Sequence, residues 1–264
     1  IVEREKEIEK FDSKFTFKIA GKFAPKDTSY SGPHQSGPSP RADGANSRAA
    51  ALRNTPNQDV SFVASYDGET PEDERTAQKL LERLSAADFV AESVEETEGS
   101  KANPVPFTTA ALQIEANSKL GFSSRTTMSA AQGLYQAGLI TYHRTDSLNL
   151  SSQAVAAIAK YIEGAFGKNY LKVRHFKTKD ASAQEAHEAI RPTDVSRTTA
   201  GKNDYEKRLY NLIWSRTVAT QMANAKVAKT AIRLSNDFVA KGEVVIFDGF
   251  LKVYGKSKDL ELPK

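Results

Sequence analysis

The run Gly138-Leu139-Ile140-Thr141-Tyr142-His143-Arg144-Thr145-Asp146-Ser147 packs a phenol, an imidazole, a guanidinium, a carboxylate and three hydroxyls into a few positions. In extended backbone the side chains alternate between faces, so Tyr142 and Arg144 project to the same side. A guanidinium beside a phenol favours the phenolate electrostatically, and its planar fork also binds phosphate. An oxygen nucleophile attacking a phosphodiester needs both. The same residues also fit a structural role, with the Tyr142 ring in the core and Arg144 paired with Asp146. Spacing does not separate the two.

A second group is Glu185-Ala186-His187-Glu188-Ala189-Ile190-Arg191-Pro192-Thr193-Asp194. His187 and Arg191 are four apart and share a face on a helical turn. Pro192 biases Arg191 away from helical geometry and ends any such turn. Together they offer a second contact to a phosphate oxygen; a helix end closed by a cation is the plain alternative. Neither group contains an evident general base for Tyr142, and nothing favours Asp146 or Glu188 for that work. There is no run of carboxylates spaced for Mg²⁺, no phosphate-binding P-loop and no G-x-S-x-G.

Both groups must be positioned by flanking elements. Thr108–Leu120 and Ser124–Ala137 read as two helices joined by Gly121-Phe122, a helix–turn–helix in the broad sense. Ser151 or Ser152 caps a further helix to about Ala165, and Tyr205–Ala223 forms another. Around this block the pattern is of strands. Lys14–Ile19, Val60–Tyr66 and Asp88–Glu95 precede it; Thr230–Ser235, Phe238–Lys241, Val244–Phe247 and Gly249–Tyr254 follow. Thr70 is expected to cap a helix with Pro71 at its first position. Residues 24–58 are rich in Ser, Pro, Gly, Asn and Ala and read as a long surface loop or insertion. The reading is therefore α+β: residues 1–105 and 226–264 form one discontinuous β-rich domain, and the helical domain 106–225 is inserted into it.

The 264 residues, with 39% hydrophobic and 27% charged, suit a globular chain with a sizeable core. The absence of Cys excludes disulfides, thiol catalysis and Cys-ligated zinc, and is compatible with a reducing, cytoplasmic setting. The four His are too scattered to form a metal cage. No stretch approaches a membrane span. The net charge of +4 is uneven: −5 over 1–105, +7 over 106–228 and +2 over 229–264. A basic central block raises the prospect of a polyanionic partner, and a solvated basic surface explains it equally well. Ile1 opens the chain without Met, and Ile1–Phe11 reads as the end of a helix already under way, so the chain is expected to be part of a longer polypeptide.

Leu120–Ser151 (LGFSSRTTMSAAQGLYQAGLITYHRTDSLNLS) and Ala183–Asp194 (AQEAHEAIRPTD) together resemble the active-site domain of the bacterial type IA DNA topoisomerase family. Pro106–Phe122 is similar to the family's lead-in helix. The stretch Asn203–Ala225, the strand around Phe247–Phe250 and the opening IVEREKEIEKF also fit the family, so the likeness spans nearly all of the chain except the 24–58 insertion.

The resemblance implies that Tyr142, in the T-Y-x-R-T-D-S motif, is the nucleophile that forms a 5′-phosphotyrosine link with one DNA strand. It implies that Arg144 and His187 contact the scissile phosphate and that Arg191 stands behind them. The phosphodiester's free energy is kept in the link, so no ATP is needed. Strand passage and religation then relax negatively supercoiled DNA. The implied architecture is a torus whose β-rich arch carries the helical domain. Mg²⁺ is expected in a Toprim domain outside this chain, with no metal site and no cofactor in the chain itself, and cleavage is accordingly not expected of the chain alone. At position 143 many family members carry Met or Pro where His stands here.

The partners expected are single-stranded DNA and, for the whole enzyme, supercoiled duplex; no membrane is expected, and the setting is the bacterial cytoplasm at the nucleoid. The candidate DNA contacts are Lys119, Arg125, Thr145, Ser147 and Arg191, with salt-sensitive binding. An alternative is a helix–turn–helix regulator without catalysis, for which Ser124–Ala137 offers Arg125 and Gln132 among mostly small residues. A tyrosine recombinase would carry H-x-x-R before its Tyr, whereas His187 and Arg191 follow Tyr142 and are one residue too far apart.

Overall fold

A computed structural model describes residues 2–9, 16–24, 61–176, 187–255 and 262. The expected insertion, beyond Ala24, and Ala183–Ala186 of the second group lie outside the described residues. The elements are α1 (Val2–Glu9), β1 (Ala20–Phe23), β2 (Phe62–Tyr66), α2 (Glu74–Ser85), β3 (Ala91–Lys101), α3 (Thr109–Leu120), α4 (Ser124–Gln136), α5 (Ser152–Phe166), α6 (Asp204–Thr220), β4 (Ala225–Leu234) and β5 (Phe238–Phe247). Short 3₁₀ turns occupy Lys168–Tyr170 and Gly249–Lys252. The fold is thus α+β, with strands in the order β1-β2-β5-β4-β3. β1 pairs antiparallel with β2, Gly21 opposite Ala64, and β2 with β5, Ser65 opposite Val239. Between β4 and β5, Asn236 and Asp237 have φ of 59° and 61°. Two successive left-handed residues are what a tight hairpin requires, and Asn and Asp tolerate that conformation better than other side chains.

The chain divides into two compact units. One comprises Ile1–Thr97, Lys229–Glu243 and Leu260–Lys264; the other, Glu98–Ala228 and Val244–Asp259. The first is organised by the sheet. Its core is Ala64, Leu84, Ile232, Leu234, Phe238, Ala240 and Leu262. Phe23, Phe89 and Tyr66 meet the Phe238 ring edge-on at 5.2, 5.5 and 5.6 Å.

The second unit is organised by helices. Leu112, Leu134, Ile158, Ile162, Leu209 and Ile213 are buried in one apolar interior. Each helix here starts on a side-chain cap: Thr108, Ser123, Ser151 and Asn203 each accept a hydrogen bond from an amide of the first turn.

Several sequence expectations are corrected. α2 is capped by Asp73, not Thr70: the Asp73 carboxylate accepts from the Thr76 amide at 2.7 Å, three residues inside the helix, where Thr70 is out of reach. The first described strand covers Ala20–Phe23; of the expected strand Lys14–Ile19, residues 14 and 15 lie outside the described residues and residues 16–19 are not a strand. The partner of β1, β2, stops at Tyr66, whose amide makes the last rung to the Ile19 carbonyl, so the ladder does not reach back to residues 16–18. β5 runs unbroken through Lys241–Val244, and β4 begins at Ala225. Gly249–Tyr254 is not a strand. Gly249 has φ of 49°, and a Cβ there would lie 2.5 Å from the Ala223 carbonyl oxygen, so the chain folds into a 3₁₀ turn against the end of α6.

Candidate active site

The segment carrying Tyr142 leaves α4 through a tight helix stop. Gly138, at φ 68°, donates to the Tyr135 carbonyl, and Leu139 donates to the Leu134 carbonyl, both at 2.9 Å. That pair of bonds is the Schellman closure, and its left-handed position favours glycine. From there the chain is irregular, bending at Leu139, Thr141, His143 and Arg144. Ile140 bridges Pro192, and Thr141 and Arg191 are bonded twice, the Thr141 amide to the Arg191 carbonyl and the Arg191 amide to Thr141 Oγ1, each at 2.9 Å. Thr141 Oγ1 donates to the Ala189 carbonyl at 2.8 Å. On the other side of the second group, the Ile190 amide donates to the Phe107 carbonyl. The two sequence groups, though far apart along the chain, are therefore neighbours in one hydrogen-bonded layer.

Burial alternates along the segment. Tyr142, Arg144 and Asp146 are exposed; His143, Thr145 and Ser147 are buried. Tyr142 and Arg144 are both solvent-exposed, although the backbone that carries them bends rather than running extended. Tyr142 retains 41% of its surface, enough for a macromolecular substrate to reach it. Its ring lies 6.4 Å from that of His187, 5.3 Å edge-on from Tyr135 and 5.5 Å edge-on from His143. Tyr135 carries no sequence signal that marks it for this cluster.

His143 differs from its neighbours. It is 1% exposed, and neither ring nitrogen has a hydrogen-bond partner. Burial, helped by the adjacent Arg144 charge, pushes its pKa below the ordinary value, so the imidazole is neutral.

The remaining candidates separate. Thr145 and Ser147 are buried, and their hydroxyls accept from the backbone amides of Ser147 and Asn149. Thr109, missed in the sequence, holds this stretch: its hydroxyl donates toward the His143 and Thr145 carbonyls and accepts from the Thr145 amide. Lys119 pairs with Glu115 at 2.8 Å and sits 3.7 Å over the Tyr254 ring. Arg125 is exposed near the start of α4, beside an open cavity also lined by Ser129, Asn203 and Tyr205.

Arg191 is not free for phosphate. Its Nη2 and Nε reach the two Glu188 oxygens at 2.6 and 3.3 Å, and Nη1 donates to its neighbour Pro192's carbonyl at 3.0 Å. Glu188 in turn accepts from the Ser151 amide at 2.7 Å. Burial opposes the Glu188 charge, but the Arg191 and Ser151 bonds outweigh it and hold the carboxyl below its ordinary range. Among the described residues no group of three or more His, Asp or Glu is placed to hold a metal ion.

Comparison with known proteins bears on what this layer belongs to. A DNA topoisomerase family model matches residues 1–264. DNA topoisomerase 1 of Synechocystis sp. is 43% identical over 195 residues, covering 71% of this chain and 22% of that protein. Those of Rickettsia prowazekii and Haemophilus influenzae are 41% and 40% identical, covering 71% and 76% of this chain and 27% and 25% of theirs. The chain thus spans about a quarter of the length of these relatives. Full-length topoisomerase I from Thermotoga maritima superposes with a TM-score of 0.68 and 29% identity, over 99% of this chain and 40% of that one. These matches set aside the regulator reading. With a model matching end to end and relatives at about 40% identity, the chain belongs to the bacterial type IA DNA topoisomerase family.

Proposed function

We propose that Tyr142 is the nucleophile of a topoisomerase that breaks and rejoins one DNA strand at a time. The Tyr142 oxygen attacks a backbone phosphorus, the bond from phosphorus to O3′ breaks, and the phenolic proton is given up while O3′ takes one. The products are a 5′-phosphotyrosine and a free 3′-hydroxyl. Reversal reseals the strand without an external energy source, because the new ester replaces the old one. Arg144 and His187 steady the phosphate anion from either side.

The observation that supports this reading is the exposed Tyr142 ring 6.4 Å from that of His187, with Arg144 exposed two residues further on. The substrate is a single strand, drawn by the basic helical block and reached through Arg125 and Arg144, with strand passage then relaxing negatively supercoiled duplex. Such an enzyme works at the bacterial nucleoid, in the cytoplasm. No helix among the described residues is long and apolar enough to cross a membrane.

The Mg²⁺ of the family finds no fitting donor set among the described residues. The test is to incubate the whole enzyme and its Tyr142→Phe variant with an end-labelled single strand and trap the protein–DNA adduct with denaturant. An adduct that maps to Tyr142 and disappears in the variant is expected. An adduct that persists in the variant overturns the assignment.

A further inference from the structure

The His187 imidazole is exposed. The neighbouring Glu188 carboxylate is tied on three sides, to the Ser151 amide at the start of α5 and to Arg191 through two nitrogens. The backbone around it is tied as firmly. The Ala189 amide donates to the Asn149 carbonyl at 2.8 Å, and Arg191 is doubly bonded to Thr141, the residue just before the nucleophile. Glu188 thus caps α5 from 37 positions away, supplying the acceptor that a helix usually draws from its own third residue.

Three of the five N–H donors of Arg191 are spent on Glu188 and Pro192, and its side chain is only 15% exposed. A phosphate arriving here meets an occupied fork and the Glu188 negative charge at 2.6 Å from it. A phosphate ligand needs an open fork. A side chain that fixes geometry needs its donors engaged, and each of the three nitrogens of this fork already holds a protein acceptor.

We propose that the Glu188–Arg191 pair is a positioning clamp for His187: it locks residues 188–191 between Thr141 and the start of α5, and so holds the imidazole beside Tyr142. Arg191 therefore acts through His187 rather than on DNA. This rests on the reading of Tyr142 as nucleophile.

The test measures single-turnover cleavage of a labelled single-stranded oligonucleotide by the whole enzyme, together with its affinity across a salt series. Arg191→Ala is expected to slow cleavage about tenfold while changing affinity less than about twofold, with an unchanged salt slope. Arg191→Lys, which keeps one bond to Glu188, is expected to recover part of the rate. In a His187→Ala background, Arg191→Ala is expected to add almost nothing, because the group it aims is gone. Equal losses in both backgrounds identify a general structural role and overturn the proposal. Weakened affinity with a shallower salt slope identifies a phosphate ligand and also overturns it. Tyr142→Phe runs alongside: an adduct surviving there defeats the nucleophile assignment, whereas its loss together with a fast Arg191→Ala enzyme defeats the clamp alone.

Discussion

The sheet unit and the helical unit hold their chains by different means. In the sheet unit, regular pairing satisfies the backbone, and a small core is gathered by edge-to-face rings around Phe238. In the helical unit, the interior is aliphatic and the helices carry regular caps, but the segment that matters for chemistry has no regular structure at all. Residues 139–151 are fixed instead by side chains that stand in for a strand partner: the hydroxyls of Thr109, Thr141, Thr145 and Ser147, and the carboxylate of Glu188. A regular ladder fixes a surface but offers little room to vary which face a side chain takes. An irregular segment pinned at chosen atoms exposes Tyr142 and Arg144 while burying His143 between them. Its cost is dependence on many individual hydrogen bonds, each worth about 0.5–1.5 kcal/mol net.

This contrast makes distinct experiments informative about each unit. The largest effect is expected at the pinned segment: Tyr142→Phe abolishes covalent adduct formation in the whole enzyme while oligonucleotide affinity stays within about twofold, since one hydroxyl is lost and the Arg contacts to the backbone remain. Large loss of affinity would instead mean that the ring, not its oxygen, is what the site needs. Next, Phe238→Ala is expected to destabilise the sheet unit by about 3–5 kcal/mol. Trp214, the one tryptophan, lies in the helical unit, so its fluorescence reports on that unit alone. Denaturation of the variant should show loss of strand circular dichroism ahead of the Trp214 transition. A single coincident transition would show that the two units unfold as one.

Third, His143→Met is expected to raise stability by about 1–3 kcal/mol at pH 7, because two buried nitrogens without partners are replaced by an apolar side chain of similar size. The pH dependence follows from the depressed pKa. Below the ordinary value of 6.5 the unfolded chain takes a proton that the folded chain refuses, so this residue costs stability as pH falls until the folded pKa is reached. The native chain should therefore lose stability as pH falls below about 6.5 more steeply than the variant in equilibrium denaturation. Parallel curves would show that His143 finds a partner in solution. The smallest effect is expected at Gly138→Ala, which forces an L side chain into the left-handed position at a cost of about 1–2 kcal/mol. Nothing lies within 4 Å of the added carbon, so backbone strain is its only cost. A loss beyond that range by thermal melting would mean that the helix stop and the Tyr142 segment are coupled.

Much of this is legible in the order of the residues. The helices from Thr109, Ser124 and Ser152 start within a residue of their expected places, because caps and the period of apolar residues are local signals. The alternation of burial from Tyr142 to Ser147 follows the alternation of residue types that the sequence displays. Other features depend on partners that are distant along the chain. Whether residues 16–19 form a strand depends on how far β2 extends, and whether Gly249–Tyr254 does depends on the end of α6 beside it. Lys119, Thr145, Ser147 and Arg191 have the right chemistry for DNA, yet Glu115, the local backbone and Glu188 already occupy them.

Sequence alone thus specified the family and the helices that precede and follow the proposed reactive groups, because motif chemistry and helix periodicity are written within a few residues of one another. Which charges stand open to a phosphate was settled by folding. An ion pair such as Glu188–Arg191 matters through its link to the Ser151 amide and to Thr141, and those come together only when segments far apart in the chain have packed.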